Sequence, residues 1–145
     1  MDQNRIAEIR EKITSRIPRG WGKWISMDSG WYELINDLDD KIAYLAPNYE
    51  IHQVKEKFGT LRFYVGGAGT EIDTKAADII NDLISYAEQL SENICEICGA
   101  ARYGTIRTRY DNSVKVRCRN YWYKTLCNDC AIIAGYPVDE EEKDD

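Results

Sequence analysis

The chain has 145 residues, 43% of them hydrophobic, and a formal net charge of −6. That is enough apolar material for a packed core, which excludes wholesale disorder, and no apolar run approaches the roughly eighteen residues that a membrane span needs. The acidic balance argues against non-specific nucleic-acid binding by the chain as a whole.

The first residues are charged and amphipathic. They lack the basic start, apolar stretch and small-residue cleavage site of a secretory signal, which predicts a cytoplasmic protein. Residues 4–17 read as a helix, because Ile6, Ile9, Ile13 and Ile17 recur every three or four positions and build one apolar stripe. Pro18 and Gly20 end it. The turn-rich connector 18–24 carries Trp21 and Trp24, which either cap the core or form an exposed contact patch. A second helix runs from Ser29 to Pro47, with Trp31, Leu34, Ile35, Leu38, Ile42 and Leu45 on its apolar face. Glu33, Asp37, Asp39 and Asp40 fall on its solvated face.

From residue 50 the period changes to two. Strands over 50–57 and 60–65 flank a turn at Phe58-Gly59. His52, the single histidine, sits on the first strand among polar neighbours, with no identifiable partner for general-base work. Gly66-Gly67-Ala68-Gly69 fits neither a Rossmann nor a P-loop spacing and reads as a link. A third helix over 73–93 turns Ala76, Ile79, Ile80, Leu83, Ile84, Ala87 and Leu90 inward. The order helix, helix, hairpin, helix predicts an α+β layer over residues 1–94.

Five cysteines follow, four of them in two C-x-x-C pairs, Cys95/Cys98 and Cys127/Cys130, separated by 28 residues. A reducing compartment makes disulfides the wrong reading. Two thiolates two residues apart can reach one ion across a tight turn, and Gly99 permits a positive φ just after the second. Two such pairs fill the tetrahedron of one structural zinc, leaving no position for catalytic water. Between the pairs, 105–110 and 114–119 alternate around Asp111-Asn112-Ser113 and read as a hairpin, and 129–134 reads as a short helix ending at Gly135. Knuckle, hairpin and ligand-bearing helix, over 95–136, is the order of a treble-clef finger. Redox chemistry is the rival for the C-x-x-C pairs, but no β-α-β pattern accompanies them. Cys118 falls on the apolar face of the expected hairpin, either as a buried inert thiol or as a replacement ligand. Residues 137–145 form an acidic tail too polar to bury.

Charge is uneven. Residues 1–94 carry a net −5, 95–130 a net +4 and 131–145 a net −5. The expected hairpin places Arg107, Arg109, Lys115, Arg117 and Arg119 on one face. That face is either solvated and internally paired, or it meets phosphates, with Tyr103, Tyr121, Trp122 and Tyr123 close by to stack on bases.

Gly30-Trp31-Tyr32-Glu33-Leu34-Ile35, the run Gln53 to Val65, the knuckle Cys95-Glu96-Ile97-Cys98-Gly99 and Lys124-Thr125-Leu126-Cys127 resemble small uncharacterised proteins of bacteriophages and prophages. The resemblance covers about residues 30–131. It implies a bacterial mobile element as source and brings no catalytic residue. The combined expectation is a non-enzymatic accessory protein that binds a host protein, such as a defence or nucleic-acid-processing factor, through Trp21 and Trp24. The alternative is nucleic-acid binding, or sequestration of a phosphate-bearing nucleotide, by the basic hairpin. A nuclease or hydrolase is a minor alternative, since residues 95–136 contain no histidine.

Overall fold

Asp2 accepts the backbone N–H of Arg5 and so starts helix α1 (Gln3–Thr14) in the computed structural model, which describes residues 2–66, 74–103 and 109–138. The helix stops short of the expected residue 17. Ser15 caps it, and Arg16 and Ile17 form tighter bonds to the carbonyls of Ile13 and Thr14. Ile6, Ile9, Ile13 and Ile17 are all buried, as their spacing predicts. They pack on α2 (Tyr32–Leu45), which is entered through a single 3₁₀ turn, Ser29–Trp31. Trp31 is fully buried, and its indole N–H donates to the carbonyl of Ile94 at 2.7 Å.

Asp39 corrects the expectation for the polar face of this helix. It is fully buried. α1 packs against that side of α2, and Arg16, Lys12 and the hydroxyl of Tyr49 converge on its carboxylate. Arg16 also lies over the Tyr49 ring, 4.6 Å from its centroid. Burial, then the hydrogen bond to Asp39, push the Tyr49 hydroxyl far above its ordinary range, so it stays protonated and donates. A carboxylate at this depth persists because several donors satisfy it.

Strands β1 (Glu50–Lys57) and β2 (Thr60–Gly66) pair antiparallel from Glu50↔Gly66 to Lys57↔Thr60, with an irregularity between Ile51 and Gln53. Phe58 (φ 56°) and Gly59 (φ 85°) form the two-residue turn, both left-handed, which matches the twist of the strands. Ile51, Val54, Leu61 and Phe63 face the core. A lone two-stranded ribbon is marginal in water, and here both edges are covered. Ser26 bridges to β1, donating to Val54 and accepting from Glu56, each at 3.0 Å. On the other edge, helix α3 (Thr74–Ser91) supplies side chains in place of a third strand. The Ser91 hydroxyl accepts the Leu61 N–H at 2.9 Å and the Glu88 carboxylate accepts the Phe63 N–H at 3.1 Å. Ile80, Ile84 and Ala87 of α3 are buried, whereas Ile79, expected inward, is 40% exposed.

The C-terminal hairpin differs from expectation. Strand β3 (Lys115–Arg119) pairs with β4 (Trp122–Leu126), in register from Lys115↔Leu126 to Arg119↔Trp122, a pairing the sequence does not announce; most of the expected partner strand 105–110 lies outside the described residues. Asn120 and Tyr121 make the turn, both at positive φ. Of the segment 105–110, Arg109 and Tyr110 are described; they follow Ala101, with Tyr110 in an isolated bridge to it. Helix α4 (Asn128–Ala134) is the last element among the described residues and ends at Gly135, which adopts the left-handed cap conformation. No described helix is long and apolar enough to cross a membrane.

Replacing Asp39 by Ala leaves Arg16 and Tyr49 without their acceptor. Breaking a buried pair from one side costs about 3–5 kcal/mol, so the urea midpoint of Asp39→Ala should fall sharply. A midpoint equal to wild type would show that water replaces the carboxylate and that the network does not hold α1 to α2.

Candidate metal centre

Two local structures bring the four cysteines together. In the knuckle, the Cys95 N–H donates to Ala100 O at 2.8 Å and the Gly99 N–H returns to Cys95 O at 2.9 Å, with Gly99 at φ 82°. The Ala100 N–H points at the Cys98 Sγ at 3.5 Å. The second pair opens α4. Cys127 is its N-cap, its sulfur accepting the Cys130 N–H at 3.5 Å. The Ser113 hydroxyl accepts the Asn128 N–H at 2.8 Å and so ties the start of that helix to the turn before β3.

The four sulfurs lie within 4.8 Å of one another, and Cys98 and Cys127 approach to 3.7 Å. Cys95 and Cys127 are fully buried, and Cys98 is exposed. The protons of the bare thiols divide unevenly. The hydrogen bond with Cys95 pulls Cys98 down to about 4, helped by the Ala100 N–H. The same bond, and then burial, push Cys95 up. Burial, then the bond to Cys127, push Cys130 up to about 12. Four sulfur donors at this spacing, with backbone N–H groups aimed at two of them, fit a metal ion that takes thiolates.

Arg109 completes the surroundings. Its guanidinium donates to the Cys98 Sγ at 3.5 Å and to Asp111 at 3.3 Å. Of the two readings of the basic face, internal pairing or phosphate contact, Arg109 shows the first: it lies against the Cys98 sulfur and pairs with Asp111. No spacing rule links it to Cys98, eleven positions earlier.

Glu96, between the first two cysteines, is the functional residue that the motif hides. It is 1% exposed. Its Oε2 accepts the Asp28 N–H at 2.9 Å and the Lys124 ammonium at 3.2 Å. Burial raises its pKa, while the Asp28 N–H and Lys124 oppose the rise. Its backbone carbonyl accepts the Gly30 N–H at 2.6 Å, and its N–H donates to Thr125 O at 2.9 Å. A Cβ on Gly30 would overlap the carbonyls of Cys95 and Glu96, so the 3₁₀ turn meets the knuckle backbone to backbone.

The remaining candidates separate. Cys118 is exposed and outside the four-sulfur cluster, which corrects both readings of it. The facing of β3 is inverted: Val116 and Cys118 point outward and Arg117 inward. Arg117 is 4% exposed and donates to Leu126 O at 2.9 Å and Ser113 O at 2.7 Å, so it presents nothing to phosphates. The buried carbonyls around the ligand helix need donors, and the guanidinium supplies them. Arg119 is exposed and donates to Ala134 O at 2.7 Å. Lys115 is half-buried at the start of β3, and Arg107 lies outside the described residues. Tyr103, Tyr121 and Trp122 are well exposed, at 64%, 92% and 74%. Trp21 and Trp24 are exposed as well, at 49% and 66%; the Trp21 ring centroid lies 4.5 Å from that of His52.

Elemental analysis should find one metal ion per chain in the wild type and in Cys118→Ser, and a substoichiometric amount in Cys98→Ser and Cys127→Ser. Of the five thiols, Cys118 should react first with an aromatic disulfide, and the other four only after chelation. Rapid reaction of all five in freshly purified protein would remove the metal reading.

Comparison with protein-family models, with curated proteins and with solved structures finds no match to this chain.

Proposed function

We propose that the chain is a non-enzymatic accessory protein of phage or prophage type, which acts by binding a host protein and is held together by one structural zinc ion on Cys95, Cys98, Cys127 and Cys130. The observation that carries the binding reading is the ordered exposure of Trp21 and Trp24, at 49% and 66%. Their connector is not loose. The Trp21 N–H donates to Pro18 O at 3.1 Å, the Lys23 ammonium to Ile17 O at 3.1 Å, and Ser26 is fixed to β1. The Trp24 ring folds back over Gly22, where a Cβ would collide with it. Large rings presented on a pre-ordered segment are what protein interfaces use as anchors, because little freedom remains to be lost on binding.

The zinc assignment is supported by donor chemistry and spacing. A tetrahedron of zinc–sulfur bonds of ~2.3 Å has sulfur–sulfur edges of ~3.8 Å, and Cys98 and Cys127 stand 3.7 Å apart. Knuckle, β3–β4 hairpin and α4, with the second pair of ligands in the first turn of the helix, support a treble-clef-like module. Four thiolates fill the ion, so its contribution is stability, roughly 10–16 kcal/mol of apparent binding energy in comparable modules. The clefts described elsewhere are shallow and their charges are engaged. The groove of about 390 Å³ between α1 and α2 is lined by Arg5, Glu8, Lys12 and Asp40 among others, with Arg5 paired to Glu33 and Lys12 to Asp40. A defence or nucleic-acid-processing factor of the host is the class of partner this reading favours.

The test is affinity capture from bacterial lysate with the zinc-loaded wild type and with Trp21→Ala/Trp24→Ala. Both should carry one zinc and melt at similar temperatures, since neither ring is core. A saturable partner retained by the wild type and lost by the double variant is the expected result. The absence of any saturable partner, or equal capture by both proteins, would count against the reading.

A further inference from the structure

The outward face of the β1–β2 hairpin carries a charge arrangement that the fold does not require. Lys55 and Arg62 are directly opposite one another across the strands. Lys57 follows Lys55 by two positions and lies on the same side. Like charges placed opposite one another in a hairpin repel and destabilise it. Among the described residues no carboxylate pairs with any of the three. Glu56, which lies between the two lysines, faces the other way and accepts the Gly59 N–H at 2.7 Å. Arg62 reaches the neighbouring carbonyl of Leu61 at 3.4 Å, and the Lys57 ammonium sits over the Phe58 ring, 5.6 Å from its centroid.

Exposed rings flank the cations. Tyr64, two positions from Arg62 on the same face, is 44% exposed, and Phe58 at the turn is 63% exposed. Tyr123 of β4, 39% exposed, meets Phe58 edge to face with centroids 6.2 Å apart. The contact is held by the seam between the hairpins, where the Thr125 hydroxyl donates to Gly59 O at 2.6 Å.

We infer that this face binds single-stranded nucleic acid, with Lys55, Lys57 and Arg62 on phosphates and Tyr64, Phe58 and Tyr123 as stacking platforms. Charge complementarity selects a polyanion, since negative charge placed between Lys55 and Arg62 relieves their repulsion. The rings select among polyanions. An acidic peptide would satisfy the cations and leave three exposed aromatic side chains unexplained, whereas bases stack on any aromatic face. The surface goes beyond the protein-binding reading and uses residues distinct from Trp21 and Trp24.

The experiment is fluorescence anisotropy of a labelled oligo-dT of about twelve nucleotides with the full-length, zinc-loaded protein, titrated between about 50 and 200 mM salt. Three phosphate contacts predict a slope of log K against log salt of about −2. Lys55→Gln/Arg62→Gln should weaken binding at least tenfold and flatten the slope, with zinc content unchanged and a melting temperature no lower than wild type, because the repulsion is gone. Tyr64→Ala should weaken binding about fivefold or more at every salt concentration and leave the slope unaltered. Trp21→Ala/Trp24→Ala should bind like wild type, so loss of the protein partner and loss of nucleic acid are distinguishable. Absence of binding at the lowest salt would overturn the inference. So would binding that the Lys55/Arg62 variant retains in full, or an oligo-glutamate peptide that occupies the face as tightly as the oligonucleotide.

Discussion

Glu96 buries a carboxylate in the middle of the cysteine knuckle, and three distant parts of the chain meet there: donors converge on its Oε2, while its Oε1 is buried without a hydrogen-bond partner. An acidic side chain at this depth is unfavourable unless donors meet it. The donors come from distant parts of the chain, Asp28 through its backbone and Lys124 through its ammonium, and Lys124 also pairs with the Asp28 carboxylate at 2.8 Å. The two main-chain bonds of Glu96, from Gly30 and to Thr125, add the 3₁₀ turn and β4 to the same point. One residue therefore fixes the knuckle against both the helical layer and the second hairpin.

That arrangement ties the C-terminal part to the first layer. Its own core is small: seven buried residues, of which three are cysteines of the cluster. Apolar burial on that scale does not hold a hairpin and a two-turn helix together without a staple. The dependence runs both ways. Trp31, the largest fully buried side chain of the first layer, donates its indole N–H to Ile94 O just before the knuckle, and Gly59 at the β1–β2 turn accepts from Thr125.

What the sequence made legible follows from periodicity and ligand spacing. The isoleucine stripe of α1, the burial of Trp31, the turn at Phe58-Gly59 and the clustering of Cys95, Cys98, Cys127 and Cys130 each rest on a local pattern, and each is present. The β3–β4 pairing is not legible in the sequence, because its turn at Asn120-Tyr121 lacks glycine. Asn120 tolerates the left-handed region, but Tyr121 gives no such signal. Asp39 and Arg117 were placed at the surface because charged residues default there. Only the approach of α1 to one, and of unpartnered carbonyls to the other, brings them inside, and neither approach is written in the neighbouring sequence. Glu96 was hidden for the same reason: a C-x-x-C motif leaves its middle residues unspecified.

The same distinction decides where free charge is found. Summed by segment, residues 95–130 are basic and residues 1–94 acidic, which points to the C-terminal module as the anion-binding part. Side-chain partners reverse that conclusion. Arg117 and Arg119 are engaged with carbonyls, Arg109 with Cys98 and Asp111, and Lys124 with Asp28 and Glu96. In the first segment three of the acids are engaged away from the hairpin's outward face, Asp39 inside the core, Glu33 on Arg5 and Glu88 on the edge of β2. Lys55, Lys57 and Arg62 share one sheet face without a carboxylate partner among the described residues, Lys57 exposed and the other two half-buried. Net charge measures what a segment contains, and binding depends on what remains after the fold has used its own ions.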